Sequence, residues 1–211
     1  DIVTHVGNPS HELIRKSLKK KENISHEILI FGNNNFIYNE IEMVKEIKCN
    51  KYLDSLGIKL RLAPSVGGTG KEWGHRKDSY LKILGNENVY YPNKTWFGED
   101  SETLFQNIDY VENLINHRIF IVSGVSNVTY DILSRGGIVI LMFFDKFKDN
   151  SKFPWWICKE REVHNHVKKY PGIHVCHNAN EIEDTIKSNY PEQNFKSFTP
   201  YSETIESSKL I

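Results

Sequence analysis

The chain has little that would mark it as disulfide-stapled, metal-centred or membrane-spanning. Its 211 residues contain three cysteines, Cys49, Cys158 and Cys176, odd in number and far apart. That spacing suggests neither a disulfide framework nor a cysteine-based zinc site, and it fits a reducing compartment. No apolar run approaches the roughly 20 residues that cross a bilayer. The opening residues, from Asp1 to Pro9, lack a basic segment followed by an apolar one, so no secretion signal is visible. Charge of either sign is not in excess: Lys and Arg number 27, Asp and Glu 27. A balanced chain has no global positive field to hold nucleic acid, and no nucleic-acid partner is expected. These absences together point to a cytoplasmic protein, with peripheral contact at the inner face of a membrane as the only membrane relation left open. The chain begins at Asp1 rather than at methionine, and we take it as a processed product or as part of a longer polypeptide.

Familiar catalytic signatures are missing too. Gly67-Gly68-Thr69-Gly70-Lys71 looks like a nucleotide P-loop, but the first position of that motif holds Ser65 and the residue after Lys71 is Glu72. There is no Gly-x-Ser-x-Gly elbow and no His-Glu-x-x-His. His164, His166, His174 and His177 are assigned solvated or structural roles, Trp155 and Trp156 a place in the core, and no metal is expected.

What is present is an alternation of apolar runs and amphipathic stretches. With 39% hydrophobic and 12% aromatic residues, the chain can bury a sizeable core. Strands are expected at 27–31, 58–62, 89–91, 119–122, up to Met142 and at 173–176, with helices at 37–49, 52–56, 78–84, 101–113, 128–134, 160–169 and 179–188. A glycine-rich loop is expected at 66–77, carrying His75, Arg76 and Lys77 as possible phosphate contacts. This order predicts an α/β fold, a doubly wound parallel sheet with helices on both faces. Residues 1–26 form a linker and basic helix, 27–190 the Rossmann-like domain and 191–211 a polar tail.

The most informative stretch is 119–142. A buried apolar run at 119–122 leads into Ser123-Gly124-Val125-Ser126-Asn127, then two helical turns over 128–134, Gly136-Gly137 and a second buried run. Hydroxyls and free N–H groups at a strand's carboxyl end, facing the positive end of a helix dipole, suit an anion. The same pattern also serves as an ordinary helix cap. Asp131, one turn into the helix, is spaced to meet a ribose while the Ser/Asn turn holds phosphates.

These features resemble the C-terminal, donor-binding half of glycosyltransferases with two Rossmann-like domains, the GT-B architecture, especially bacterial capsule and teichoic-acid enzymes. Residues 6–9 look like the linker from a first domain and 28–31 like the opening strand of the second. Arg61-Leu62-Ala63-Pro64-Ser65 is similar to an Arg-x-His-Pro-Ser turn, and 123–140 to a Ser-rich turn before an acidic helix and Gly-x-Pro-Val-Ile. Ala63 stands where many relatives carry a phosphate-contacting histidine, and Gly137 where they carry proline.

The resemblance implies that Ser126 and Asn127 hold the donor diphosphate, Asp131 the ribose, Gly32 and Asn33 the interdomain side of the donor, and Pro64 and Ser65 the base or phosphate. Arg61, Ser123 and Gly124 complete the expected donor site. It further implies metal-independent transfer of a sugar or polyol phosphate, with no cofactor beyond the nucleotide-activated donor, to a polysaccharide or lipid-linked acceptor. Acceptor and catalytic base would come from an N-terminal domain or partner chain, so no catalytic residue is assigned. Two alternatives stay open: a nucleotide-sugar epimerase of the same architecture, with His75 as its one candidate, and a non-catalytic nucleotide-binding or interaction module.

Overall fold

The computed structural model describes residues 25–32, 39–62, 70–90, 108–124, 127–134, 138–148 and 172–189. Along the chain run β1 (Ser25–Gly32), α1 (Glu40–Cys49), α2 (Lys51–Ser55), β2 (Ile58–Leu62), α3 (Gly70–Leu84), a 3-10 turn at Asn86–Asn88 and β3 (Val89–Tyr90). The second half holds α4 (Ile108–Asn116), β4 (His117–Val122), α5 (Asn127–Ser134), β5 (Ile138–Met142), a 3-10 turn at Asp145–Phe147, β6 (Ile173–Cys176) and α6 (Ala179–Asn189). Six strands form one sheet in the order β3-β2-β1-β4-β5-β6, and every pairing is parallel. The expected α/β, doubly wound fold is what the chain adopts.

Hydrophobic pattern explains the order. Ile28–Ile30 in β1, Phe120–Val122 in β4 and Val139–Met142 in β5 are fully buried. Strands apolar on both sides can only sit in the middle of a sheet covered by helices. The edge strands β3 and β6 are short and only partly buried, as strands with one open flank tend to be. Parallel neighbours require crossovers, and crossovers are right-handed. Hence α1 and α3 share one face, where they pack on each other, while α5 covers the other beside β5.

Helix boundaries follow local chemistry. Asn39 starts α1 by accepting the Glu42 N–H on Oδ1 at 3.4 Å. Asn50 ends α1 and caps α2, its Oδ1 accepting from Tyr52 N and Leu53 N at 3.0 Å each. Asn178 and Glu181 form a reciprocal cap at α6: Asn178 Oδ1 accepts from Glu181 N at 2.9 Å, and Glu181 Oε2 accepts from His177 N at 2.7 Å. Gly57, at φ 83°, makes the tight turn from α2 into β2, a conformation that side chains disfavour.

The structure differs from expectation at the starts of two helices and one strand. Residues 70–77, expected in the glycine-rich loop, form the first two turns of α3. Beyond Gly70 only Gly74 interrupts the helix formers. One interior glycine costs about 1 kcal/mol relative to alanine, less than burying Tyr80 and Leu84 returns. β4 begins at His117 rather than 119, because that residue is buried with Nδ1 2.9 Å from the Asn113 carbonyl. α1 begins at Glu40, behind its Asn39 cap. The expected helix at 160–169, Trp155, Trp156, Cys158, His164, His166, the 1–24 segment and the 191–211 tail lie outside the described residues.

The last helix closes the molecule against the first two. Asn50 Nδ2 donates to Glu183 Oε2 at 2.8 Å and to Asn180 Oδ1 at 3.3 Å, and Lys187 Nζ lies 4.5 Å from the centre of the Tyr52 ring. Glu46 on α1 accepts the Ala179 N–H at 3.3 Å on Oε1, while its buried Oε2 is 2.7 Å from Lys146 Nζ. That contact compensates the oxygen as an ion pair although it misses hydrogen-bond angles. Asn50 therefore serves two helices at once. Asn50→Ala should lower stability by about 1–2 kcal/mol, and Asn50→Ser, which retains the cap oxygen, by less. Urea midpoints of both variants measure this, and an unchanged midpoint for Asn50→Ala would contradict the assignment.

Candidate functional site at the strand-order reversal

The chain builds the sheet outward from β1 in one direction through β2 and β3, then returns to place β4 on the other flank of β1. The helices that follow β1 and β4 consequently lie on opposite faces of the sheet, and the general ligand position in such sheets is the crevice outside the carboxyl ends of two such strands. Phe31 pairs with Val122, so Gly32 and Ser123 are the next residues of these two strands. Rings of Phe31 and Phe120 stack at 6.3 Å beneath them and fix the pair.

Gly32 is buried, Ser123 is fully buried and Gly124 is partly exposed. The chain then enters α5 at Asn127, whose first N–H groups have no partner within the helix. Asp131 follows one turn later and is enclosed, at 4% exposure, together with Thr129. Arg61, the penultimate residue of β2, pairs with Phe31 on one side and Tyr90 on the other, and it too is buried. Thus Gly32, Arg61, Ser123 and Gly124 lie at the carboxyl edge of the sheet, with Asn127 and Asp131 in the first two turns of the helix that follows. Asn33, Pro64, Ser65 and Ser126 lie outside the described residues. His75, Arg76 and Lys77 belong to α3 rather than to a loop.

Other residues at this edge carried no recognisable sequence signal. Phe147 accepts the Asn39 N–H on its carbonyl at 2.9 Å. The turn leaving β5 is therefore tied to the start of α1, past the end of β4. Buried Phe143 and Phe144 root that turn, with Phe143 N donating to Cys176 O at 2.9 Å. His177 Nδ1 sits 3.0 Å from the Phe143 carbonyl and 3.7 Å from Asp145. Glu40, the first residue of α1, is buried and accepts a hydrogen bond from the hydroxyl of fully buried Tyr80 on α3. These contacts join residues tens of positions apart, beyond the range of local patterning.

Chemically, the edge carries backbone N–H groups and a helix start, which suit an anionic ligand, together with a hydroxyl and a guanidinium that are buried and already have partners. Among the described residues, no group of His, Cys, Asp and Glu could hold a metal ion, and no helix is long and apolar enough to cross a membrane. No protein-family model matches this chain, and no curated protein shows significant similarity to it.

Displaced protonation equilibria are found on β6 and α6. Burial pushes the Cys176 thiol up to about 11, against a smaller opposing effect of its hydrogen bond with Thr185, so it is a packed, unreactive group. A hydrogen bond from Lys187 holds the exposed Glu183 carboxyl below its ordinary range, with Asn50 adding to it. His174 on β6 is lowered from 6.5 by desolvation. For a base whose folded pKa is depressed, the unfolded state binds the proton first as pH falls. Its contribution is therefore fully present above pH 6.5 and is lost below it. The urea midpoint should fall between pH 7.5 and pH 5.5, and His174→Gln should make that fall shallower. Equal slopes for the two proteins would contradict this assignment.

Proposed function

We infer that the crevice between β1 and β4 binds a nucleotide-activated donor through its diphosphate, and that the chain is the donor-binding part of a glycosyltransferase acting in surface-polysaccharide synthesis. The observation that carries this proposal is the juxtaposition of Gly32 with Ser123-Gly124 at the strand-order reversal, immediately before the start of α5. A glycine-bearing strand end lets a phosphate approach the backbone closely. The α5 start supplies N–H donors and a partial positive charge.

In this proposal Ser123, Gly124, Ser126 and Asn127 receive the diphosphate, Asp131 serves the ribose, and Gly32 and Asn33 face the transferred group. Pro64 and Ser65, on the segment after β2, border the base, and Arg61 adds positive charge beneath it. Stabilising the leaving diphosphate by a helix start and hydrogen bonds requires no metal. The acceptor, a polysaccharide or lipid-linked chain, and the group that deprotonates it belong to an N-terminal domain or partner chain.

A thermal-shift screen against UDP, CDP, GDP, CMP and their sugar conjugates tests the proposal. A ligand of the native state adds about 2.7 kcal/mol when present at a hundred times its Kd, a rise of several degrees for a domain of this size. One nucleotide family should raise the melting point in a concentration-dependent way, and Ser126→Ala combined with Asp131→Asn should abolish most of the rise. No shift with any nucleotide, or a shift that survives the double substitution, overturns the assignment and favours an interaction module.

A further inference from the structure

We propose that Lys146 is a phosphate-binding residue of the donor site, carried on the turn that leaves β5 and held in reserve by an ion pair with Glu46 that an anionic donor displaces. This rests on the donor-site proposal.

The path of that turn carries the inference. Sheet order places β4 between β1 and β5. The segment after β5 is nonetheless tied to the helix that follows β1, because the Phe147 carbonyl accepts the Asn39 N–H at 2.9 Å, and on its way it passes the carboxyl end of β4. Register sets its height. Val122 pairs with Leu141 and Met142 with Cys176, so Ser123 and Met142 are level, and the turn begins one residue higher, level with Gly124. Its form is fixed: Phe147 N donates to the Phe144 carbonyl at 2.8 Å and Lys148 N to the Asp145 carbonyl at 3.1 Å, above the buried Phe143 and Phe144.

Two adjacent charges sit on the turn, and their contacts draw them apart. Asp145 lies 3.7 Å from Nδ1 of His177, the residue after β6, and β6 is on the far side of β5 from β4. Lys146 is turned instead toward α1, the helix that follows β1, where its Nζ lies 2.7 Å from Glu46 Oε2. The ammonium also rests 5.0 Å from the centre of the Phe147 ring. Of the two charges, the cation is therefore the one held on the side of the strand-order reversal.

The pair with Glu46 is loose on one side and fixed on the other. The Lys146 side chain is 57% exposed, and its contact with Oε2 misses hydrogen-bond angles. An ion pair with one partner largely in water stabilises little. Glu46 is held in place by its other oxygen, which accepts the Ala179 N–H at 3.3 Å, so the carboxylate does not follow the ammonium. A diphosphate presents several anionic oxygens against this one, and a flexible four-carbon stem lets the ammonium change partners without moving the turn. Whatever occupies Lys146 in the free chain lowers donor affinity by the strength of that contact.

A double-mutant cycle on the full chain, titrated with UDP, CDP, GDP and inorganic pyrophosphate, tests this. Lys146→Gln should weaken binding by about threefold to tenfold, the loss of one solvent-accessible charged contact. Glu46→Gln keeps a carbonyl acceptor for the Ala179 N–H while removing the competing charge, and it should tighten binding by about twofold to fivefold, the range of an exposed ion pair. In the Lys146→Gln background the same substitution should change affinity by less than about 1.5-fold, because the competition is gone. Lys187→Gln, which removes a cation from α6, should stay within about 1.5-fold of wild type. A damaged junction would weaken binding, so the tightening by Glu46→Gln separates competition from a merely structural role. Binding by wild type with no effect of Lys146→Gln, or a Glu46→Gln variant that binds no more tightly or changes equally in both backgrounds, overturns the role of Lys146 and leaves the donor site standing. Failure of the wild-type chain to bind any of the four probes removes the donor site and the role of Lys146 with it.

Discussion

The parallel pairing of β4 with β1 is the constraint on which the rest of this molecule depends. From β3, at one edge of the sheet, the chain must return past β2 and β1 before it can add β4 on the far flank. Everything after that point is built in the opposite direction, and the crevice is the geometric consequence. What holds the reversal is burial on both faces. Ile28–Ile30 and Phe120–Val122 are fully enclosed, and each such aliphatic or aromatic side chain contributes about 1.5–3 kcal/mol when removed from water. A register slip would turn none of these residues toward solvent, because both faces are apolar; parallel hydrogen bonding and the stacked Phe31 and Phe120 rings select the alignment instead.

Around that reversal the polar contacts form a second, sparser framework. Asn39 and Asn50 sit at helix ends and link them to neighbouring elements, Glu46 in the last turns of α1 reaches the start of α6, and Asn178 caps α6 itself. The turn that follows β5 is drawn across to α1, and α6 is drawn back onto α1 and α2. Few of these bonds are strong by themselves. Their value is positional, because each satisfies a backbone group that would otherwise be left unpaired at a helix terminus while setting where the loops around the crevice begin.

Much of the fold was legible in the sequence, because buried parallel strands are short apolar runs and the intervening helices are amphipathic. β2 and β6 occur with the expected limits, and β1, β5, α5 and α6 agree to within about two residues. Strand order was not legible, since nothing in a run such as Ile138–Met142 says which strand it pairs with. The first half of α3 was missed because glycines at 67, 68, 70 and 74 read as one loop, whereas only the first of them precede the helix. At the crevice, Gly32, Ser123 and Gly124 stand out because strand ends followed by small polar residues have a recognisable form. Glu40, Tyr80 and Phe147 do not, because a buried carboxylate, a core tyrosine and a turn carbonyl acquire meaning only from partners 40 or more residues away.

The central claim is that the strand-order reversal is the binding site, and backbone amide mapping tests it most directly. Titrating the isotopically labelled chain with the nucleoside diphosphate that stabilises it should move the amide resonances of Gly32, Ser123, Gly124 and the first turn of α5 first and furthest. Shifts confined to the amino edge of the sheet or to α6, with those resonances unmoved, would contradict it.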